Sequence, residues 1–138
     1  MNAAVRDERF GPERRVRKRK DFLRIQSRGR KTRAFNLLVV TVARSDLNVR
    51  LGITVTTKID KRSARRNRLK RKIRETFRRD RCYFLAGVDV VVIALEGSTE
   101  LEFEEVKRQL RFAWRKAGLL RDSRQAAVSK PTEPDGEG

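Results

Sequence analysis

Histidine is absent from this 138-residue chain, and Cys82 is its one cysteine. A structural zinc site draws on about four Cys or His ligands, and Ser-His or Cys-His nucleophilic catalysis needs an imidazole, so both chemistries are excluded. A lone thiol also rules out an intramolecular disulfide, in keeping with a reducing compartment. No apolar run approaches the roughly 18 residues of a membrane span, and residues 1–30 lack the apolar core of a secretion signal. The expectation is a cytoplasmic protein with no membrane partner.

Acidic residues are scarce beside basic ones: 18 Asp and Glu against 36 Lys and Arg, a formal charge of +18. Such an excess opposes compaction unless a polyanion neutralises it. Its placement says more than its size. Residues 1–33 carry a net +9 and residues 58–81 a net +10, while 34–57 contribute +1 and 82–138 contribute −2. Two segments therefore hold all the excess. With 38% hydrophobic residues in one domain's length, a single core is expected.

The denser basic segment, Arg62 to Arg79, has its few apolar residues at helical spacing. At about 100° per residue, Leu69, Ile73 and Phe77 form one stripe, while Asn67, Arg68, Arg71, Arg74 and Arg78 share the opposite side. One face anchors to a core and the other faces a polyanion. Asp60 or Ser63 is the expected N-cap.

Around that helix the chain reads in order. Residues 1–14 show no period and are read as a flexible arm, residues 15–118 as the folded domain, and residues 119–138 as a disordered tail. Asp21 to Gln26 predicts a short helix ended by Gly29, with Phe22 and Ile25 on one side. Residues 36–43 and 50–57 predict two strands joined by the turn chemistry of Ser45 to Asn48, with a further short strand possible around 30–35. In the second strand Leu51, Ile53 and Val55 alternate with Gly52, Thr54 and Thr56, which implies one buried and one open polar face. Val88 to Leu95 is a near-continuous apolar run, as expected of a central strand. The Thr99/Glu102 spacing suggests a capping box, and Phe103, Val106, Leu110, Ala113, Trp114 and Ala117 continue at helical period as a core-facing stripe. The result is an α+β fold: a two-layer sandwich, order α-β-β-(β)-α-β-α, with a mixed sheet of about four strands and helices on one face.

A charge run usually means a solvated face. Here, however, 13 cations meet only three acids across residues 58–81, leaving few intrahelical pairs to offset repulsion. DNA reading by a helix-turn-helix would need a helix before the basic one, and a strand precedes it instead, so no DNA partner is expected. A folded RNA suits the arginine-rich face, because guanidinium contacts phosphate bidentately and Asn67 both donates and accepts. Phe22, among Lys18, Arg19, Lys20 and Arg24, suits base stacking on a single strand as well as core packing. Asp60, Glu75 and Asp80 are too few and scattered for a two-metal nuclease and read as a cap and local charge partners.

Leu51-Gly-Ile-Thr-Val-Thr-Thr-Lys58 and Ala64-Arg-Arg-Asn-Arg-Leu-Lys-Arg-Lys-Ile-Arg-Glu75, the latter carrying Arg-Asn-Arg-x-Lys-Arg-x-x-Arg, resemble the protein subunit of bacterial ribonuclease P. More loosely, the resemblance extends through Asp21-Phe22, Gly29, Gly87 to Ala94 and the closing helix, about residues 14–118. It implies a left-handed β-α-β crossover. It also implies an endoribonuclease holoenzyme in which a large RNA, using Mg²⁺, removes the 5′ leader of precursor tRNA, while the protein promotes the reaction at low magnesium; the protein is expected to be monomeric in the complex. By that likeness Arg66, Asn67, Arg68, Lys70, Arg71 and Arg74 would contact the RNA subunit. Arg65 and Arg78 would complete that surface, and Lys58 and Lys61 would extend it. The leader would lie in a cleft formed by Phe22, Gln26, Lys18, Thr54 and Thr56. Catalytic and metal-binding residues are expected to be none in this chain. Two positions depart from the family pattern, Gln26 and Val40, where relatives often carry aromatics. The competing reading is a structural RNA-binding protein of a ribonucleoprotein such as the ribosome.

Overall fold

The computed structural model describes residues 15, 16, 18–85 and 87–120. Its elements are α1 (Arg19–Arg28), β1 (Arg30–Ala34), β2 (Leu37–Ala43), β3 (Val49–Thr54), α2 (Ser63–Asp80), β4 (Val88–Ala94) and α3 (Phe103–Lys116). Short 3₁₀ turns, Arg81–Tyr83 and Ser98–Glu100, follow α2 and precede α3. The strands form one sheet in the order β1-β2-β4-β3. β1 and β2 pair antiparallel, as do β2 and β4, whereas β3 and β4 run parallel with α2 as their crossover. This is the α+β fold with a mixed four-stranded sheet, and the short extra strand is β1.

One face of the sheet carries the main core. Leu37 and Val39 of β2, Leu51 of β3, and Val90 and Val92 of β4 meet Leu69, Ile73 and Phe77 of α2 and Val106, Leu110, Ala113 and Trp114 of α3. The stripe read from i, i+4 spacing is therefore the keel of α2, fully or almost fully buried. Phe77, Phe84 and Trp114 pack edge to face, with ring centroids 5.3–6.4 Å apart. Asp80 pins the far end of α2 to α3 by accepting from Trp114 Nε1 at 2.9 Å and from Arg111 Nη2 at 2.8 Å.

The other face corrects one expectation. α2 and α3 share a face, but α1 lies on the opposite one, where Ile25 joins Val16, Val40 and Val91 in a second buried cluster flanked by Phe22. The physical reason lies in β2, whose Leu38, Val40 and Val42 are as apolar as Leu37 and Val39 and require cover on both faces. Gly29 does end α1, yet its backbone is extended rather than left-handed (φ −77°). Its role is close approach: a Cβ there would collide with Val40 and come within 2.9 Å of the Thr41 carbonyl oxygen. Val40, buried beneath α1, is thus a packing residue.

Two caps also differ from expectation. Arg62 occupies the N-cap of α2, and Asp60 satisfies its backbone N–H at 2.9 Å from two residues before. Thr99 does not cap α3, which begins at Phe103 after Glu102; its hydroxyl turns to Asp60 instead. The 1–14 arm and residues 121–138 lie outside the described residues. Leu119 and Leu120, assigned to the tail, join the domain: Leu85 N–H donates to the Leu119 carbonyl at 2.8 Å, and both leucines pack on the core.

Candidate nucleic-acid interface

α2 lies over β3, an edge strand, so its solvent face continues into that edge. Residues 15 and 16 run alongside: Val16 N–H donates to the Leu51 carbonyl at 2.9 Å, and Arg15 bridges Leu51 in parallel register. Between this short segment, α1 and α2 lies a groove of about 140 Å³ lined by Arg15, Val16, Phe22, Leu51, Gly52, Ile53, Lys70 and Arg74. Gly52 permits it, because a Cβ there would come within 2.8 Å of the Phe22 ring and 3.0 Å of Val16. The aromatic thus rests against a bare strand backbone beside two cations of α2.

The cations of α2 fall into two sets. Arg62, Arg65, Arg66, Lys72, Arg78 and Arg79 each have a protein partner. Arg78 donates to Glu75 at 2.6 Å and Arg79 to the same residue at 2.7 Å, and these bonds hold the Glu75 carboxyl below its usual range. Lys72 donates to the Leu101 carbonyl at 2.7 Å. Among the described residues, Arg68, Lys70, Arg71 and Arg74 have no carboxylate partner, and exposed Asn67 sits with them. Partial burial disfavours the charge of Arg74, and repulsion from Arg15 and Arg71 adds to it; its pKa is lowered, though an arginine stays protonated at any biological pH. Among the described residues these four cations form no ion pair, although Arg68 lines a pocket that Glu100 and Glu102 also line.

A contrasting cluster lies on the α1 face. Asp89 of β4 is 1% exposed and accepts from Arg50 at 2.8 and 3.0 Å, from Arg44 at 3.0 Å and from Arg24 at 3.4 Å. Burial acts to raise its pKa, but Arg50 and then Arg44 overcome that and hold it below the usual carboxylate range. Asp21 and Asp46 complete the balance, 3.9 Å from Arg50 and 2.8 Å from Arg44. Sequence reading passed over Asp89 as part of an apolar run; a lone acid in such a run was the available signal.

The predicted site residues divide accordingly. Asn67, Arg68, Lys70, Arg71 and Arg74 lie together on the outer face of α2, with Phe22 at the groove beside Lys70 and Arg74. Arg78 is engaged by Glu75, and Arg65 forms an ion pair with Asp60 at 3.0 Å. Arg66, half-buried on the apolar side of the helix, folds back so that Nη1 donates to the carbonyls of Asp60 and Lys61 at 3.0 Å each. Lys58 and Lys61 are exposed in the connection before α2. Lys18 is the N-cap of α1, the Gln26 carbonyl accepts from Lys31 Nζ, Thr54 pairs in register with Ile93, and the Thr56 carbonyl accepts the N–H groups of Ile59 and Asp60. None of these four lines the groove that Phe22 lines. Sequence reading missed Arg15, Val16 and Gly52 as groove residues, and it took Leu51 and Ile53, which also line the groove, only for the buried face of the strand.

A family model described as Ribonuclease P matches residues 10–118. The ribonuclease P protein component of Dictyoglomus thermophilum is 35% identical over 115 residues, covering 82% of this chain and 95% of that protein. The fold aligns with the ribonuclease P protein of Staphylococcus aureus at a TM-score of 0.71 and 29% identity, covering 78% of this chain and 98% of that one. Against the ribonuclease P protein of Thermotoga maritima the TM-score is 0.66 at 34% identity, covering 73% and 96%. With that extent of sequence and fold in common, the chain belongs to the ribonuclease P protein family.

Proposed function

We propose that Arg68, Lys70, Arg71 and Arg74 of α2 bind the catalytic RNA of ribonuclease P, and that the Phe22 groove receives the single-stranded 5′ leader of precursor tRNA. Family membership makes the chain a protein component of the ribonuclease P ribonucleoprotein, a tRNA-processing endoribonuclease. The finer reading is carried by one observation: among the described residues Arg68, Lys70, Arg71 and Arg74 pair with no carboxylate, and Lys70 and Arg74 line the groove that Phe22 also lines. Phosphates would release the strain on that charge, and a base would stack on Phe22. Gln26, one turn on, lies outside the groove, so stacking in this chain rests on Phe22, and backbone charge supplies more of the leader affinity.

The chemistry then belongs to the RNA. In this reading Mg²⁺ is used through the RNA subunit, and no residue of this chain is assigned to hold it. Protein cations would lower the magnesium requirement because either species screens the same phosphate repulsion. A protein monomeric in the complex and acting in the cytoplasm completes the reading.

Reconstitution tests it. Protein mixed with the ribonuclease P RNA is expected to cleave precursor tRNA at magnesium concentrations where the RNA alone is slow. Cleavage by the protein alone would overturn the assignment of chemistry to the RNA, and absence of stimulation would point to a purely structural RNA-binding role. In the same assay Phe22→Ala is expected to weaken precursor binding by about 1–2 kcal/mol, the worth of one stacked base. Unchanged affinity would remove Phe22 from the leader site.

A further inference from the structure

The connection between β3 and α2 turns on one buried carboxylate. Asp60 is 7% exposed. Its Oδ1 accepts from the Arg62 backbone N–H at 2.9 Å and from Arg62 Nε at 3.0 Å. Its Oδ2 accepts from the Thr99 hydroxyl at 2.7 Å and lies 3.0 Å from Arg65 Nε. Its backbone carbonyl holds Arg66. Three arginines at the start of α2 thus converge on one acid and its peptide, and Thr99 ties that acid to the turn preceding α3.

The location explains why an acid belongs there. The first turn of α2 holds no acidic residue, while a helix N-terminus carries partial positive charge and disfavours cations. Asp60 offsets both. The bonds from Arg62 N–H and then Thr99 hold its carboxyl well below the usual range, so it is ionised at every working pH. The side chain of Arg62 is 66% exposed and that of Arg65 27%, while Arg66 is half-buried.

We propose that Asp60 and Thr99 are positioning residues, which hold Arg62, Arg65 and Arg66 ordered before binding so that α2 presents a fixed end to paired phosphates of folded RNA. The idea rests on the reading of α2 as an RNA-binding helix. Long arginine side chains lose considerable freedom on binding, and ordering them in advance lowers that cost. Charge alone argues the opposite: removing an acid makes the protein more cationic and a better ligand for a polyanion. The sign of the effect therefore discriminates.

The test measures equilibrium affinity of the full chain for ribonuclease P RNA across a series of monovalent salt concentrations, at a temperature where melting curves show each variant folded. Asp60→Ala is expected to bind about five- to tenfold more weakly despite its added charge, with the log–log salt slope shallower by about one. Thr99→Val, which leaves charge unchanged, is expected to weaken binding about two- to threefold, and Thr99→Ser to restore it. Affinity of Asp60→Ala equal to or tighter than wild type overturns the proposal, as does a lowered melting temperature with affinity and slope unchanged. Should Asp60→Ala not fold, Thr99→Val decides by the same criteria. An Arg71→Ala/Arg74→Ala double variant serves as reference. If it weakens binding while the Asp60 and Thr99 variants do not, only the positioning role fails; if it binds as wild type, the RNA-binding reading of α2 fails with it.

Discussion

The two arginine clusters of this small domain solve the same problem in opposite ways. On the α1 face, Arg24, Arg44 and Arg50 converge on Asp89, with Asp21 and Asp46 close by, so cations and acids balance within the fold. On the outer face of α2, Arg68, Lys70, Arg71 and Arg74 find no acid among the described residues, and Arg74 is further crowded by Arg15 and Arg71. The first arrangement is complete as it stands and serves the structure. The second lacks such acids among the described residues, and the proposed RNA-binding role rests on that lack. Abundance of arginine alone does not mark the site; the absence of local neutralisation does.

Neutralisation experiments should separate the clusters cleanly. The largest effect is expected from Asp89→Ala, which leaves three guanidiniums facing one another. Breaking a buried pair costs about 3–5 kcal/mol, and because these arginines keep some access to water the loss should be about 3 kcal/mol, read as a lowered midpoint in urea unfolding. RNA affinity of the folded fraction should not fall. The double variant Arg71→Ala/Arg74→Ala should do the reverse. At about 1.5 kcal/mol for each lost charged hydrogen bond, RNA affinity should fall about a hundredfold, while the urea midpoint stays level or rises because repulsion is relieved. If Asp89→Ala leaves stability intact, or the double variant destabilises the fold, the division between the two clusters is wrong.

How much of this was legible follows the range of the interactions concerned. The keel of α2, Leu69, Ile73 and Phe77, is a local periodicity and could be read directly, as could β4 from its apolar run. The unpaired face was visible in outline because Asn67, Arg68, Arg71 and Arg74 share one side of a helix. What stayed hidden depends on pairing across distance. Phe22 and Ile25 showed that α1 buries a side but not which face of the sheet receives it. Arg50 meets Asp89 only because β3 and β4 pair in parallel with those two residues in register. Thr99 carries a good capping signature for its own helix, yet its hydroxyl is taken by Asp60, 39 residues earlier in the chain. Gly52 reads as a weak point in a strand until the Phe22 ring is found against it.

The smallest expected effect is a null that only this composition allows. Asp89 has a folded pKa below its unfolded value, so the stability it contributes is fully present above about pH 4, the ordinary carboxylate range, and is lost as pH falls through the folded value. Acid unfolding should therefore steepen below about pH 4 in the wild type and be shallower in Asp89→Asn. The α2 face has no comparable switch. Its groups are arginine, lysine and asparagine, and the chain holds no histidine to titrate between about pH 5 and 8. Arg74 has a lowered pKa, yet it remains a cation throughout that range. RNA affinity measured by filter binding at fixed ionic strength should thus change less than about twofold from pH 6 to pH 8. A steeper dependence would mean that a group outside the α2 face takes part in binding.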